Sequence, residues 1–205
     1  RTPASNGVRV LARTTGRRRR RDKGIPRRPE PVKLLIGLLV AAPTLLGPAE
    51  ERLEVAYGPI DAVSSPVPFD HTAYYEDELG SSPWRQFLIF RNLIDPGNLA
   101  QIKRRTNNLE QEWAQGGRRP VNMDPGYISL TKLVLASTKN HWHRIYIGLG
   151  IYAEATLPYI KGDFRPQEWT YPDYRIPEHL AFFRTARERY RLQLRSEMLD
   201  PSPTT

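Results

Sequence analysis

The stretch "KLLIGLLVAAPTLL", residues 33–46, decides how this chain is read. Arginines precede it, and an apolar run behind a basic segment resembles an export signal or a membrane anchor. Pro43 and Thr44 interrupt the run, and it is too short to cross about 30 Å of hydrocarbon as a helix. It divides instead into two elements. Val32 to Val40 reads as a buried strand. Leu46, Ala49, Leu53 and Ala56 then recur at helical spacing, which predicts a helix from about Thr44 to Tyr57 stopped by Gly58-Pro59.

Downstream, strand and helix continue to alternate. Ile60 to Val67 reads as a strand, with Pro66 and Pro68 marking an edge or a bulge. "DHTAYYEDELGSSP" is a polar loop. Gln86 to Phe90, "QFLIF", is a third strand. Asp95 is a good N-cap and Pro96 suits the first helical position. Leu99, Ile102, Thr106, Leu109 and Trp113 step by three and four along one helix face, which Gly116-Gly117 ends. "RPVNM" gives a short fourth strand. The order strand-helix-strand-strand-helix-strand predicts an α+β fold, a ferredoxin-like βαββαβ sandwich. Appended to it are a helix over Leu130 to Ser137 capped by Ser129, and a β-hairpin turning at Gly148-Leu149-Gly150. The extended segment "WTYPDYRIP" follows, then a C-terminal helix from Pro177 that sets Leu180, Phe183, Tyr190 and Leu194 on or near one face. No internal repeat is visible.

The chain has 205 residues and a formal charge of +9. Residues 1–30 hold eleven Arg and Lys against Asp22 and Glu30, so the whole excess lies there. The remaining twenty bases balance twenty acids. Residues 1–30 lack apolar periodicity and are expected to be a disordered basic tail, with 200–205 a second tail and 31–199 a single domain. The chain opens on Arg1 rather than Met, which leaves open whether residues 1–30 belong to the natural protein. Nucleic acid is a partner only through the tail, where "GRRRRRDKG" can grip phosphates. No membrane contact is expected. Cysteine is absent, which excludes disulfides, thiolate zinc sites and a cysteine nucleophile, and fits a reducing compartment. Phosphate-loop, dinucleotide-glycine, zincin and nucleophile-elbow signatures are missing.

Four segments carry polar chemistry. In "STKNHWHRIYIG", residues 137–148, His141 and His143 are two apart, a spacing that on a strand turns both to one face. A metal site would need a further ligand from His71, Asp70 or Glu154, and the pair lacks the fuller set that zinc requires. His143 reads instead as an acid, a base or a structural imidazole. Lys132 and Lys139, seven apart on the expected helix, fall on nearly one side and with Arg144 can hold an anionic group. The same cations also suit a basic helix end facing solvent. Glu154 stands between apolar neighbours in "GIYAEATL", where burial would suit it to proton transfer; the wet face of a hairpin is the other reading. Tyr171 and Asp173 in "WTYPDYR" can line or close a site, or lock the segment onto the sheet. The acidic loop with Asp70, Tyr74, Tyr75 and Glu76 reads as a polar surface.

"KLLIGLL", "YGPID", "PFDHTAYYEDELG", "NMDPGYISLTKLVLASTK", "HRIY", "GIYAEATL" and "WTYPDYR" together resemble the domain-of-unknown-function family four-four-one-six, over roughly residues 31–194. The resemblance implies one intact domain in a bacterial or archaeal cytoplasm, and carries no established activity, cofactor or partner. His143 and Arg144 fall in the stretch that resembles the family's "HRIY"; His141 and His71 do not follow its pattern, and the tail lies outside it. The expected function is binding of a small anionic ligand, a nucleotide or phosphorylated metabolite, and action on it. Lys132, Lys139 and Arg144 would hold the anion, His143 and Glu154 would move protons, and Tyr171 and Asp173 would line the site. The alternatives are a nucleic-acid binder using the tail and a non-enzymatic interaction scaffold. Cofactor, reaction and oligomeric state stay unknown at this level.

Overall fold

The computed structural model describes residues 24–69, 79 and 82–199. The calls on residues 1–23, on the 200–205 tail and on Asp70, His71, Tyr74, Tyr75 and Glu76 lie outside these. The chain is a mixed α/β fold with a nine-stranded antiparallel sheet and, among the described residues, three α-helices. The strands are β1 Val32–Val40, β2 Ile60–Val63, β3 Val67–Pro68, β4 Trp84–Ile94, β5 Val121–Ile128, β6 Lys132–Ser137, β7 Ile145–Gly148, β8 Ile151–Ile160 and β9 Asp163–Phe164. The helices are α1 Leu46–Tyr57, α2 Leu99–Gln111 and α3 Pro177–Leu199. The sheet order is β2-β4-β1-β5-β6-β8-β7, with β3 on β4 and β9 on β8.

All nine residues of β1 are buried. Alternation along a strand sends successive side chains to opposite faces. Leu34, Ile36, Leu38 and Val40 join a core with Leu46, Ala49 and Leu53 of α1 and Ile102 and Leu109 of α2. On the other face, Leu35 joins Phe87, Ile89 and Tyr174 with Phe183 and Ala186 of α3. The sheet is therefore covered on both sides, which is why β1 reads as an unbroken apolar run. Lys33 is the exception; its buried amine lies 2.7 Å from Asp61 and donates to Gln193 Oε1 at 2.9 Å.

The expected helix over Leu130 to Ser137 is instead strand β6. Its "LVLA" centre is apolar on both faces, as a strand inside a covered sheet must be. Ser129 does not cap a helix; its Oγ accepts from the backbone N–H of Thr131 and Lys132 in the turn from β5. "RPVNM" is the start of a longer strand, and helix α2 ends at Gln111, before Trp113. "WTYPDYRIP" is not extended throughout: Pro172–Tyr174 forms a single 3-10 turn, and the Arg175 guanidinium donates to the carbonyls of Gln167, Glu168 and Thr170. No helix among the described residues is long and apolar enough to cross a membrane.

The sheet splits between β5 and β6. Their registered pairs run only from Gly126 with Leu135 to Ile128 with Leu133, whereas β5 pairs with β1 along its whole length. Residues 121–125 of β5 thus have no partner on their second side, which is where Pro125 is tolerated. The close approach at the branch point depends on Gly126: a Cβ there would lie 2.2 Å from the Val134 carbonyl oxygen. Gly126→Ala is expected to cost about 3 kcal/mol, since the obstructing atom is backbone. Gly47→Ala on α1, where a Cβ meets nothing within 4 Å, should be neutral or stabilising by about 0.5 kcal/mol. Urea midpoints of the two variants check this contrast.

Candidate functional site

The split holds a cavity of about 500 Å³. One wall is α2 with the unpartnered part of β5, through Lys103, Glu110, Asn122 and Asp124. The other is the end of β6 and the segment beyond it, through Ser137 to Lys139, His141 and Arg144, with Glu154 from β8. Arg85 of β4, Asp173 and Tyr174 are the deeply buried part of the lining, and Lys139 and His141 are exposed at its mouth.

Charges line it in pairs. Arg85 Nε lies 2.7 Å from Asp173 Oδ2, both side chains almost wholly buried. Arg85 and Lys103 each reach Asp124 at 3.4 Å, and the Lys103 amine donates to the Met123 carbonyl at 2.9 Å. Glu110 accepts from Arg119 and from the Met123 backbone N–H, both at 2.8 Å. Burial pushes the Glu110 carboxyl up from its ordinary value, more than its cationic neighbours hold it down. Burial acts in the same direction on Asp124, but Lys103 and Arg85 outweigh it and hold that carboxyl low. The two neighbouring carboxyls are thus pushed in opposite directions.

Arg144 organises the opposite wall. Its Nε donates to Glu154 Oε2 at 2.8 Å, Nη1 to Ser137 Oγ and the Lys139 carbonyl, and Nη2 to Tyr171 Oη at 2.7 Å. Burial alone would lower this guanidinium, but the Glu154 and Tyr171 contacts outweigh it and raise it. Glu154 is 2 % exposed, so the wet-face reading of the hairpin fails. β8 carries an extra residue, Thr156, between the pairs Leu133–Leu157 and Val134–Ala155, which interrupts simple alternation along it. Thr156 Oγ1 donates to the second oxygen of Glu154, and His143 Nε2 lies 3.2 Å from the first.

Of the residues expected at the site, Lys139, Arg144, Glu154, Tyr171 and Asp173 line this one cavity. His143 stands behind Glu154, outside the lining. Lys132 is exposed at the far end of β6, opposite Pro158, because the helix that was to bring it beside Lys139 is a strand. Arg85, Lys103, Glu110 and Asp124 escaped the sequence reading. A signal existed for three of them. Lys103 and Glu110 step by seven beside the apolar stripe of α2, and Arg85 shares strand parity with Phe87 and Ile89. Among the described residues no group of three or more His, Asp and Glu is placed to hold a metal ion.

An antiparallel sheet covered on both faces, with a charge-lined cavity at its split, defines a mixed α/β domain. Residues 30–190 match the family model described as Domain of unknown function (DUF4416), and the chain belongs to that family. Searches of curated proteins and of solved structures found no match.

The geometry sets two expectations. Arg144→Ala leaves the Glu154 carboxylate buried without its main partner and should cost about 3 kcal/mol, much of it restored when Glu154→Leu is added. Chemical denaturation of the single and double variants reads this. His179 of α3 donates from Nδ1–H to the Asp173 carbonyl at 2.6 Å and packs edge-on against Phe87. Burial lowers its pKa, against the weaker opposing pull of Asp173. The unfolded chain therefore takes up a proton from about pH 6.5 downward that the folded state refuses, so stability falls as pH drops through that point. His179→Phe should flatten this part of the stability–pH profile, at a cost near neutrality of about 1 kcal/mol for the lost hydrogen bond.

Proposed function

We propose that the cavity binds a small anionic ligand, a nucleotide or a phosphorylated metabolite. The observation that carries this is the charge of the lining: five Lys and Arg against four Asp and Glu, many of them buried, converge on one cavity of ligand size. The carboxylates hold these cations in place as donors for an anionic group. Arg144 and Lys139 lie on the side where the lining is most open. Glu110, whose carboxyl burial pushes up from its ordinary value, and Glu154 beside His143 are the groups assigned to proton transfer.

The antiparallel strand order β2-β4-β1-β5, with α1 and α2 sharing one core, supports a ferredoxin-like reading of residues 32–128. The lack of cysteine supports a cytoplasmic location.

Thermal unfolding with inorganic phosphate, sugar phosphates and nucleotides tests the binding reading. A ligand at about a hundred times its Kd should raise Tm by about 5 °C. Lys139→Gln should weaken that ligand about tenfold, read as a smaller ligand-induced shift from the variant's own ligand-free Tm. A Tm indifferent to every anionic compound would sink the proposal.

A further inference from the structure

Three rings stand nearly parallel beside the cavity. His143 stacks with Trp169 at 5.3 Å between centroids and 12° between planes, and with His141 at 5.8 Å and 9°. The inner two are fixed from outside the group: Trp169 Nε1–H donates to the Ala155 carbonyl at 3.1 Å, and His143 meets Glu154. His141 is exposed and is the member of the three that lines the cavity. Among the described residues its ring neighbour is His143. A flat surface is thus held at the cavity mouth, in line with rings already stacked behind it.

A second feature lies deep in the same cavity. Tyr174 is 1 % exposed, lines the cavity, and its hydroxyl makes no hydrogen bond among the described residues. Buried hydroxyls are ordinarily satisfied, so this one points to a polar ligand group reaching the deep end. A ligand that meets both ends has a planar ring, a polar middle and an anionic group.

We infer that the ligand is a nucleoside monophosphate, with His141 as the residue on which its base stacks. This rests on the anion-binding reading of the cavity and adds the ring to it. Histidine and base present π-faces to one another, and such stacking is tolerant of base identity. Asn107, Asn122 and Thr138 in the lining offer hydrogen bonds to the base edge or the sugar. Each further phosphate would add negative charge beside Glu110, Asp124, Glu154 and Asp173, which favours one phosphate over three.

The test is calorimetric titration of the full chain with three kinds of probe: the four common ribonucleoside monophosphates, ribose 5-phosphate, and the four free nucleosides. At least one monophosphate should bind about tenfold or more tighter than ribose 5-phosphate. His141→Ala should remove that advantage while leaving ribose 5-phosphate binding unchanged, and His141→Phe should restore it. Equal binding of monophosphate and ribose 5-phosphate, or equal loss of both in His141→Ala, would overturn the ring inference and leave the anion site standing. Nucleosides binding as tightly as their monophosphates would overturn the anion site and keep the stacking role of His141. No binding by any probe would overturn both.

Discussion

The structure depends on one constraint: β1 is buried on both faces along its whole length. Such a strand forces a layer onto each side of the sheet, because neither row of side chains can be left in water. Helices α1 and α2 supply one layer and α3 the other. The same constraint brings charge to the centre of the fold. Gly37, midway along β1, carries no side chain, and Arg85, Phe87 and Tyr174 come within about 3 Å of where its Cβ would be. A guanidinium placed there must find carboxylates, and Asp173 and Asp124 converge on it. The polar lining of the cavity begins as an answer to a packing problem at the middle strand.

The cavity exists because the second half of the sheet turns away from the first. The short β5–β6 pairing joins the halves at a single corner, and beyond it the two walls diverge. Each wall carries its own ion-pair system, Glu110–Arg119 and Lys103–Asp124 on one side and Arg144–Glu154 on the other. Buried pairs of this kind contribute little net stability, since desolvation offsets most of the attraction. Their value is positional. They hold charged atoms at fixed places around an open volume.

Much of the fold was legible because its signals were local. The unbroken apolar run of β1, the Asp95-Pro96 start of the 3-10 turn that leads into α2 and the Gly-Leu-Gly hairpin turn each announce themselves within a few residues. β6 was not legible: a buried strand and a buried helix segment of "LTKLVLAS" look alike when both faces are apolar, and only the covered sheet decides between them. β5 was cut short because Asp-Pro-Gly ordinarily marks a turn, whereas here Gly126 serves the close approach at the branch point. The Arg144–Glu154–Tyr171 side of the cavity was within reach because its residues lie inside 40 positions of one another. The Arg85–Lys103–Asp124 side draws on three elements that no spacing rule connects, and its assembly is a tertiary fact.

The layer order also fixes a timetable. β1 leaves the ribosome well before α3, the helix that closes its second face. At roughly 5–20 residues per second, Leu35 and its neighbours wait on the order of 10 s for Phe183 and Ala186 to be made. Over that interval a half-covered apolar sheet stands open to any other hydrophobic surface. A chain interrupted between β1 and Pro177 would keep that surface indefinitely.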